Sequence, residues 1–452
     1  MNHSSPSKWV QFRQQVETAE VMRTYGRVVQ VVGLVVEGEG PASAVGDICQ
    51  LKIRDGEEGV VAEVVGFREN KVLLMPLGEL RGVEPGCRII PQGAPARARV
   101  GPGLLGRVLD GLGNPIDQKG PVPYETEYPF YAQPVNPVSK QRISEPIDVG
   151  VKAINGLLTI GKGQRIAIFS GSGVGKSTLL GMMARHTAAS VSVIGLIGER
   201  SREVREFIEK DLGEEGLKRS VVVVATSDQP ALIRMRGAYL ATTLAEYFRD
   251  QGKDVLFMMD SVTRFAMASR EVGLSVGEPP TSKGYTPSVF AQLPRLLERV
   301  GTTPSRGSIT GIYTVLVEGD DMNEPIADAI RSIADGHIDL SRDLANQNHY
   351  PAIDVLGSIS RVMVDIVSPD QLKVRNKLVS LMATYRKAED LINIGAYVEG
   401  NNPGIDEAIK KLPEINAFLQ QAVHEKVDLS ESVKRLKSLF GGKSAESRVP
   451  PA

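Results

Sequence analysis

A glycine-rich turn carries the residues of this chain that are best suited to chemistry. The segment reads Phe169-Ser-Gly-Ser-Gly-Val-Gly-Lys-Ser-Thr178, and it joins an apolar run that predicts a buried strand to one that predicts a helix. The glycines let the backbone close around phosphate oxygens, and the free N–H groups of the helix start face them. Lys176 supplies a positive charge at the β/γ end, and the Ser177 hydroxyl is a ligand for Mg²⁺. The pattern predicts a nucleotide site formed by Ser170, Gly171, Ser172, Gly173, Val174, Gly175, Lys176, Ser177 and Thr178.

The first corner of this turn departs from the usual pattern, which has glycine where this chain has Ser170. Ser170 must therefore adopt a backbone conformation that is open to a non-glycine residue. The alternative interpretation is a plain glycine-rich turn without a ligand. The strand, turn and helix context favours the nucleotide site.

Two further strand ends offer groups for phosphate hydrolysis. Asp260 follows the apolar run Val255-Leu-Phe-Met-Met, which would place its carboxylate over Mg²⁺ through the ion's water shell. Glu199 and Arg200 end another apolar run, and they offer a carboxylate to polarise water and a cation for the transition-state charge. The alternatives are a helix cap at Asp260 and a surface ion pair between Glu199 and Arg200.

With 452 residues, the chain is too long for a single core. Trp9, Phe12, Val16 and Ala19 form one face of an amphipathic helix, which packs on its own domain or docks a partner. Short β-rich runs then predict a small antiparallel barrel, and buried strands alternating with helices predict a parallel sheet covered on both faces. The predicted domains are a partner-binding helix (1–25), a β-barrel (26–93), an α/β P-loop (RecA-like) ATPase domain (94–378), a helical domain (379–440) and a disordered tail (441–452).

Bulk properties exclude several classes of protein. There are 53 Lys and Arg residues against 54 Asp and Glu residues, so the net charge of −1 gives no general attraction to nucleic acid. Cys49 and Cys87 lack metal-site spacing and are interpreted as reduced, which is typical of a cytoplasmic protein. The N-terminus does not resemble a signal peptide, and no run approaches eighteen apolar residues, so we expect only peripheral membrane association.

Several segments resemble those of the flagellar protein-export ATPase family, which is related to the ATPases of type III secretion injectisomes and to the catalytic subunits of rotary ATP synthases. The resemblance runs from about Tyr25 to Gln421. The segments that carry it are Gly198-Glu-Arg, Leu256-Phe-Met-Met-Asp-Ser-Val-Thr-Arg264, Gly277-Glu-Pro-Pro280, Gly284-Tyr-Thr-Pro-Ser-Val-Phe290, Val317-Glu-Gly-Asp-Asp-Met-Asn-Glu-Pro325 and Asn348-His-Tyr-Pro-Ala-Ile-Asp354. Ser201 departs from the glycine that these export enzymes usually carry.

The resemblance implies ATP and Mg²⁺ as ligands and assigns roles residue by residue. Glu199 matches the catalytic glutamate, Asp260 the second acid near Mg²⁺, and Arg264 a site-ordering residue. Tyr350 matches the position that stacks on adenine. Arg361, in Ser358-Ile-Ser-Arg, matches the arginine finger that enters the neighbouring subunit's site, with a buried ion pair as the alternative. A finger and a phosphate loop on one chain imply a head-to-tail ring, and the family makes it a homohexamer.

By resemblance, the leading hypothesis is an ATP-hydrolysing motor of flagellar type III protein export, which promotes chaperone release and delivery of unfolded substrates. It would be cytoplasmic, peripheral at the inner face of the bacterial cytoplasmic membrane. The implied partners are a stator-like regulator at the N-terminal helix, export-gate and stalk proteins, chaperones and export substrates.

Three alternatives remain at this stage. The first is an injectisome ATPase. The flagellar branch is favoured over it, by resemblance, by Thr226-Ser-Asp-Gln-Pro230, Asp320-Asp-Met-Asn and the N-terminal helix. The second is a ring subunit that binds nucleotide without hydrolysing it; such a subunit would lack an acid at position 199. The third is a nucleic-acid motor, whose barrel should be basic and aromatic, whereas residues 26–93 mix both charges and have Phe67 as their only aromatic residue.

Overall fold

The computed structural model describes residues 24–53, 59–304, 307–317 and 323–441, together with Trp9, Gly319 and Asp321. The chain forms two compact units, Met1–Ala96 and Arg97–Ala452. Except for Trp9, Thr24, Tyr25 and Gly441, the predicted N-terminal helix (1–25) and the predicted tail (441–452) lie outside the described residues.

The first unit contains a closed antiparallel barrel with the strand order β1-β2-β5-β4-β3-β6. Val36, Leu51, Leu74 and Ile89 are fully buried inside it, as expected for short strands that turn one face toward a small core. The predicted barrel is confirmed. Its strands are β1 (Gly26–Val32), β2 (Val35–Glu39), β3 (Asp47–Lys52), β4 (Val60–Arg68), β5 (Lys71–Pro76) and β6 (Arg88–Pro95).

The second unit is built around a nine-stranded sheet with the order β19-β18-β12-β17-β15-β13-β14-β8, and β16 pairs with β17. Pairing is parallel except at β16 and β19. The strands are β8 (Arg107–Asp110), β12 (Arg165–Ser170), β13 (Val191–Ile197), β14 (Ser220–Ala225), β15 (Asp254–Asp260), β16 (Gly301–Thr302), β17 (Ser308–Leu316), β18 (Gly336–Leu340) and β19 (Ile353–Ser360). Two small sheets pair β7 (Arg97–Val100) with β9 (Thr126–Pro129) and β10 (Pro146–Ile147) with β11 (Ile160–Gly161).

Every residue of β13 and β14 is buried because helices cover both faces of the sheet. The α/β core predicted from these continuous apolar runs is confirmed. The helices are α1 (Lys152–Leu157), α2 (Lys176–His186), α3 (Ser201–Glu206), α4 (Gly213–Lys218), α5 (Ala231–Asp250), α6 (Val262–Ser275), α7 (Pro287–Leu297), α8 (Pro325–Ile333), α9 (Arg342–Asn346), α10 (Met363–Ile366), α11 (Pro369–Asn393), α12 (Pro403–Leu419) and α13 (Leu429–Ser438). A π-helical segment, Phe207–Leu212, joins α3 to α4.

The C-terminal part of the chain is helical, as predicted. Helix α11 begins with Pro369 at its first turn, and the Ser368 side chain accepts a hydrogen bond from the Gln371 N–H, which is a strong N-terminal signal. Residue 378, the predicted domain boundary, lies inside this continuous helix. None of the described helices is both long enough and apolar enough to cross a membrane.

Candidate active site

The phosphate loop occupies the carboxyl end of the interior strand β12, where α/β sheets bind ligands. Gly173 and Gly175 have φ angles of 81° and 89°, a left-handed conformation that a side chain would strain. Ser170 instead continues the strand, paired in register with Leu316 and Leu340. Serine is therefore tolerated at the first corner because β12 extends through it.

Lys176 begins helix α2 and holds two acidic side chains together. Its Nζ donates a short hydrogen bond to Asp260 Oδ1 and lies 3.5 Å from Glu199 Oε1. Asp260 ends β15, and Glu199 follows β13 by two residues, so neighbouring parallel strands bring both acids to one edge of the sheet. Thr314 Oγ1 donates a second hydrogen bond, of 2.6 Å, to Asp260 Oδ1. These contacts join the loop to both predicted acids.

The helix after Asp260 takes its cap from the next residue. The Ser261 side chain accepts a hydrogen bond from the Arg264 N–H, at 3.3 Å, and so caps α6. Asp260 is 2 % exposed, and its carboxylate faces Lys176. The alternative interpretation of Asp260 as a helix cap therefore does not describe this structure.

Burial and charge act together on the titration of this cluster. Burial, reinforced by the negative charge of Asp260, raises the pKa of Glu199 to about 7, although Lys176 opposes the shift. Burial disfavours the charged form of Lys176, but Asp260 and Glu199 outweigh it and raise the pKa of this lysine. Glu199 Oε1 is buried without a hydrogen-bond partner among the described residues. Near neutral pH, this carboxyl group can both hold and release a proton.

Oxygen atoms suited to Mg²⁺ face one small cavity beside the loop. Its lining consists of Ser177, Leu196, Glu199, Glu203, Val204, Phe207 and Asp260. Mg²⁺ prefers hard oxygen ligands and usually combines one or two carboxylates with phosphates and waters. The described residues include no group of three His, Cys, Asp or Glu side chains that could hold a metal ion unaided. The Ser177 hydroxyl and the Asp260 carboxylate thus fit an ion that also takes phosphate oxygens.

The two candidate arginines next to Glu199 are placed differently. A Cβ atom on Gly198 would lie 2.6 Å from Cβ of Arg264, so the absence of a side chain at Gly198 permits the arginine to pack closely. The Nε atom of Arg264 is buried and has no hydrogen-bond partner among the described residues. The Arg200 side chain is 77 % exposed, and its Nη1 lies 3.7 Å from Glu203 Oε1. The structure therefore brings Arg264 toward the site and leaves the Arg200 guanidinium in solvent, because Arg200 is the N-cap of α3.

Tyr350 faces the phosphate loop from a distant part of the sequence. It precedes β19, is 41 % exposed, and its Cε1 lies 3.4 Å from where a Cβ atom on Gly175 would be. An accessible aromatic face at this place can stack on a nucleobase whose phosphates lie in the loop.

Arg361 lies at the opposite edge of the sheet from its own phosphate loop. It follows β19, which runs antiparallel to β18, and its N–H donates to the carbonyl of Asp335. Asp335 in turn donates to the carbonyl of Arg165, at the start of β12. The exposed guanidinium lies 3.4 Å from the Ala334 carbonyl and 3.5 Å from that of Arg331, at the end of α8. The structure thus does not bring Arg361 to the loop of the same chain.

Two residues of this cluster escaped the sequence analysis. Glu203 lines the cavity, and its hydrogen bond to Glu199 lowers the pKa of the Glu203 carboxyl. The sequence offered no periodic signal for this pair, because Glu199 precedes helix α3, which begins at Ser201 and carries Glu203. Thr314 lies within β17, and no local pattern marks it.

Three family models match consecutive parts of the chain. They are the β-barrel domain of the ATP synthase alpha/beta family over residues 28–93, the nucleotide-binding domain of the same family over 150–360, and the T3SS EscN ATPase C-terminal domain over 367–438.

Curated relatives match nearly the whole chain. The flagellum-specific ATP synthase of Bacillus subtilis is 56 % identical over 432 residues, covering 94 % of this chain and 97 % of the relative. That of Pseudomonas aeruginosa is 51 % identical, covering 93 % and 94 %. The type 3 secretion system ATPase of Xanthomonas euvesicatoria is 52 % identical, covering 90 % and 92 %.

Among solved structures, the assembled ATPase EscN from the enteropathogenic E. coli type III secretion system matches with a TM-score of 0.87. It is 46 % identical and covers 92 % of this chain and 99 % of the EscN chain. EscN in complex with its central stalk EscO matches with a TM-score of 0.85 and the same identity and coverage. The chain belongs to the family of flagellar and type III secretion ATPases, whose nucleotide-binding domain is that of the ATP synthase alpha/beta family.

Proposed function

We propose that this protein is the ATP-hydrolysing motor of a flagellar type III protein export apparatus, in which it promotes chaperone release and delivery of unfolded substrates. The observation that carries the proposal is the convergence of Lys176, Glu199 and Asp260 at the phosphate loop. Identity of 56 % and 51 % to flagellum-specific ATP synthases over nine-tenths of the chain supports the flagellar assignment.

In this proposal, the loop backbone and Lys176 bind the phosphates of ATP, and Tyr350 orients the adenine. Glu199 polarises the attacking water and accepts its proton, which a pKa near 7 allows under physiological conditions. Arg264 approaches the phosphates with the Nε that has no hydrogen-bond partner among the described residues. Arg200 acts only through Glu203, which it contacts.

Ser177 and Asp260 are the proposed holders of Mg²⁺, which when bound neutralises developing phosphate charge. Because Asp260 also binds Lys176, the lysine must move toward the phosphates as nucleotide enters. Until then, the two acids hold the Lys176 ammonium group beside the loop, in place of the phosphate oxygens that it would later bind.

The active assembly is proposed to be a head-to-tail homohexamer. Support comes from Arg361, which lies at the sheet edge opposite its own loop and is exposed there for contact with the site of a neighbouring copy. The structural relative EscN is described as an assembled ATPase. Each protomer would then complete the site of the next.

The proposed partners extend the same analogy. They are a stalk protein, as in the EscN complex with EscO, together with a stator-like regulator at the N-terminal helix, export-gate proteins, chaperones and export substrates. The proposed location is the cytoplasm, peripheral at the inner face of the cytoplasmic membrane. Nucleic acid is not among the proposed partners, since Arg68 and Lys71 of the barrel lie 3.6 and 3.4 Å from Glu37 carboxylate oxygens.

The test of hydrolysis compares E199Q with E214Q, which changes an exposed glutamate on α4. We expect E199Q to bind a fluorescent ATP analogue normally and to lose about 10²–10⁴-fold in the rate of phosphate release, the usual contribution of a general base. E214Q should match the wild-type enzyme in both assays. Unchanged phosphate release in E199Q would reject the assignment, and would favour a subunit that uses another base.

A second candidate function is that of an injectisome ATPase. It is favoured by 52 % identity to the Xanthomonas enzyme and by the EscN structures. Expression in one bacterial strain lacking its flagellar export ATPase, and in another lacking its injectisome ATPase, separates the two. Restored swimming without restored secretion of injectisome substrates supports the flagellar proposal, and the reverse result supports the second candidate.

A further inference from the structure

The segment between helices α12 and α13 contains one buried glutamine with an unusual set of contacts. Gln421 is 5 % exposed, and all its side-chain polar groups are used. Its Nε2 donates to the carbonyls of Gly150 and Glu425, each at 2.8 Å, and its Oε1 accepts from the Lys152 N–H at 2.8 Å. The side chain thereby holds its own segment against the start of α1.

The main chain of Gln421 continues this link to the nucleotide side. Its N–H donates to the Tyr350 carbonyl at 3.0 Å. Tyr350 presents its ring to Gly175, the last glycine of the phosphate loop. The Gln421 backbone is therefore hydrogen-bonded directly to the residue proposed to stack on adenine.

Independent contacts hold the same segment in the same place. Arg185, on the helix that follows the phosphate loop, donates from Nη2 to the Val423 carbonyl at 2.8 Å. The Leu429 N–H, at the start of α13, donates to Asp148 Oδ2 at 3.0 Å. Lys152 Nζ lies 3.6 Å from Glu425 Oε1. Residues 421–429 are thus fastened to the helix that follows the phosphate loop and to the chain around the start of α1.

We infer that Gln421 is a positioning residue that sets the adenine side of the ATP site and couples its occupancy to residues 421–429 and helix α13. The inference rests on the proposed function, because it takes Tyr350 as the adenine contact. Gln421 does not touch phosphate in this scheme. Its loss should therefore weaken binding of adenine nucleotides and leave binding of a bare polyphosphate unchanged.

The chain offers a matched control in Gln371, a second buried glutamine. Its Nε2 donates to the carbonyls of Asn155 and Gly156 and to Thr159 Oγ1, at 3.1–3.3 Å, and it makes no described contact with Tyr350. Q421L and Q371L remove a comparable number of buried hydrogen bonds while keeping similar side-chain volume. General destabilisation should affect both variants alike.

The first experiment measures KM for ATP, kcat, and the affinity for tripolyphosphate in both variants. For Q421L we expect a KM about tenfold higher, within the range set by one weakened base stacking contact, with kcat within about twofold and tripolyphosphate affinity unchanged. Q371L should show wild-type values. Equal KM changes in the two variants, or loss of tripolyphosphate binding in Q421L, would overturn the inference.

A second measurement needs no variant and so does not depend on whether Q421L folds. Hydrogen exchange of wild-type residues 420–429 should slow on addition of ADP and not on addition of pyrophosphate, since only ADP carries adenine. Equal protection by both ligands, or none with ADP at saturation, would refute the coupling. If wild-type protein neither binds ADP nor hydrolyses ATP, the proposed function itself fails, a result distinct from either outcome for Gln421.

Discussion

The separation of Arg361 from its own phosphate loop predicts complementation between two inactive variants. Strand β12 spans five residue steps from Arg165 to Ser170, or about 16 Å at about 3.3 Å per residue. Arg361 is hydrogen-bonded through Asp335 to the Arg165 end, whereas the loop begins at the Ser170 end. An arginine side chain cannot cover that distance, so the proposed finger can act only in the site of another copy.

The perturbation is a mixture of K176A, which lacks the loop lysine, and R361A, which lacks the finger. Each variant alone should be inactive. In a ring assembled at random from equal amounts, a site is complete when its loop belongs to an R361A protomer and its finger to a neighbouring K176A protomer. Each of these two conditions is met with a probability of about one half. With independent sites, the mixture should recover about a quarter of wild-type turnover.

The assay is phosphate release at constant total protein while the fraction f of K176A is varied. Activity should follow f(1 − f), with a maximum at equal amounts. Native mass spectrometry of the same samples verifies that mixed rings form. Mixed rings without recovered turnover would refute the assignment of Arg361 to a neighbouring site, and activity of R361A alone would show that the finger is dispensable.

Three further predictions test the site and its support. Y350A should raise KM for ATP about 5- to 150-fold, corresponding to about 1–3 kcal/mol of lost stacking, and Y350F should remain near wild type; equal effects of both variants would contradict a stacking role. The pKa of Glu199 rises from 4.5 to about 7 on folding, so the folded state holds the proton of this carboxyl group more tightly than the unfolded state does. The stability that this proton contributes is fully present below pH 4.5 and is lost as pH rises through 7. In urea unfolding, E199Q should therefore be more stable relative to wild type at pH 8 than at pH 5, by at most about 3 kcal/mol, whereas a pH-independent difference would contradict this. Arg299 is 1 % exposed and pairs with Glu246, so R299A should lower the free energy of unfolding by about 3–5 kcal/mol, and a loss below about 1 kcal/mol would contradict a buried, hydrogen-bonded pair.

Local patterns predicted the phosphate loop because its chemistry is contained in one turn. Gly173, Gly175 and Lys176 are near neighbours in sequence, and their backbone conformation depends chiefly on their own residue types. The buried strands were equally predictable, since a strand covered on both faces needs continuous apolar residues.

Sequence neighbours were less informative about the rest of the site. Glu199 and Arg200 are adjacent, yet one faces Lys176 and the other extends into solvent, because both lie in the turn between the end of β13 at Ile197 and the start of α3 at Ser201. Thr314 carries no local signal, and it reaches Asp260 only because β17 lies beside β15. Tyr350 and Arg361 were singled out by resemblance alone.

The amino-acid sequence by itself determined the elements, the phosphate loop, and which residue types were available for hydrolysis. Tertiary structure decided which of them meet. Strand order placed Lys176, Glu199 and Asp260 at one edge of the sheet, and the antiparallel direction of β19 put Tyr350 beside the loop and Arg361 at the far edge. The physical reason is that conformation follows from local residue types, whereas proximity between distant residues follows from how strands pair and pack.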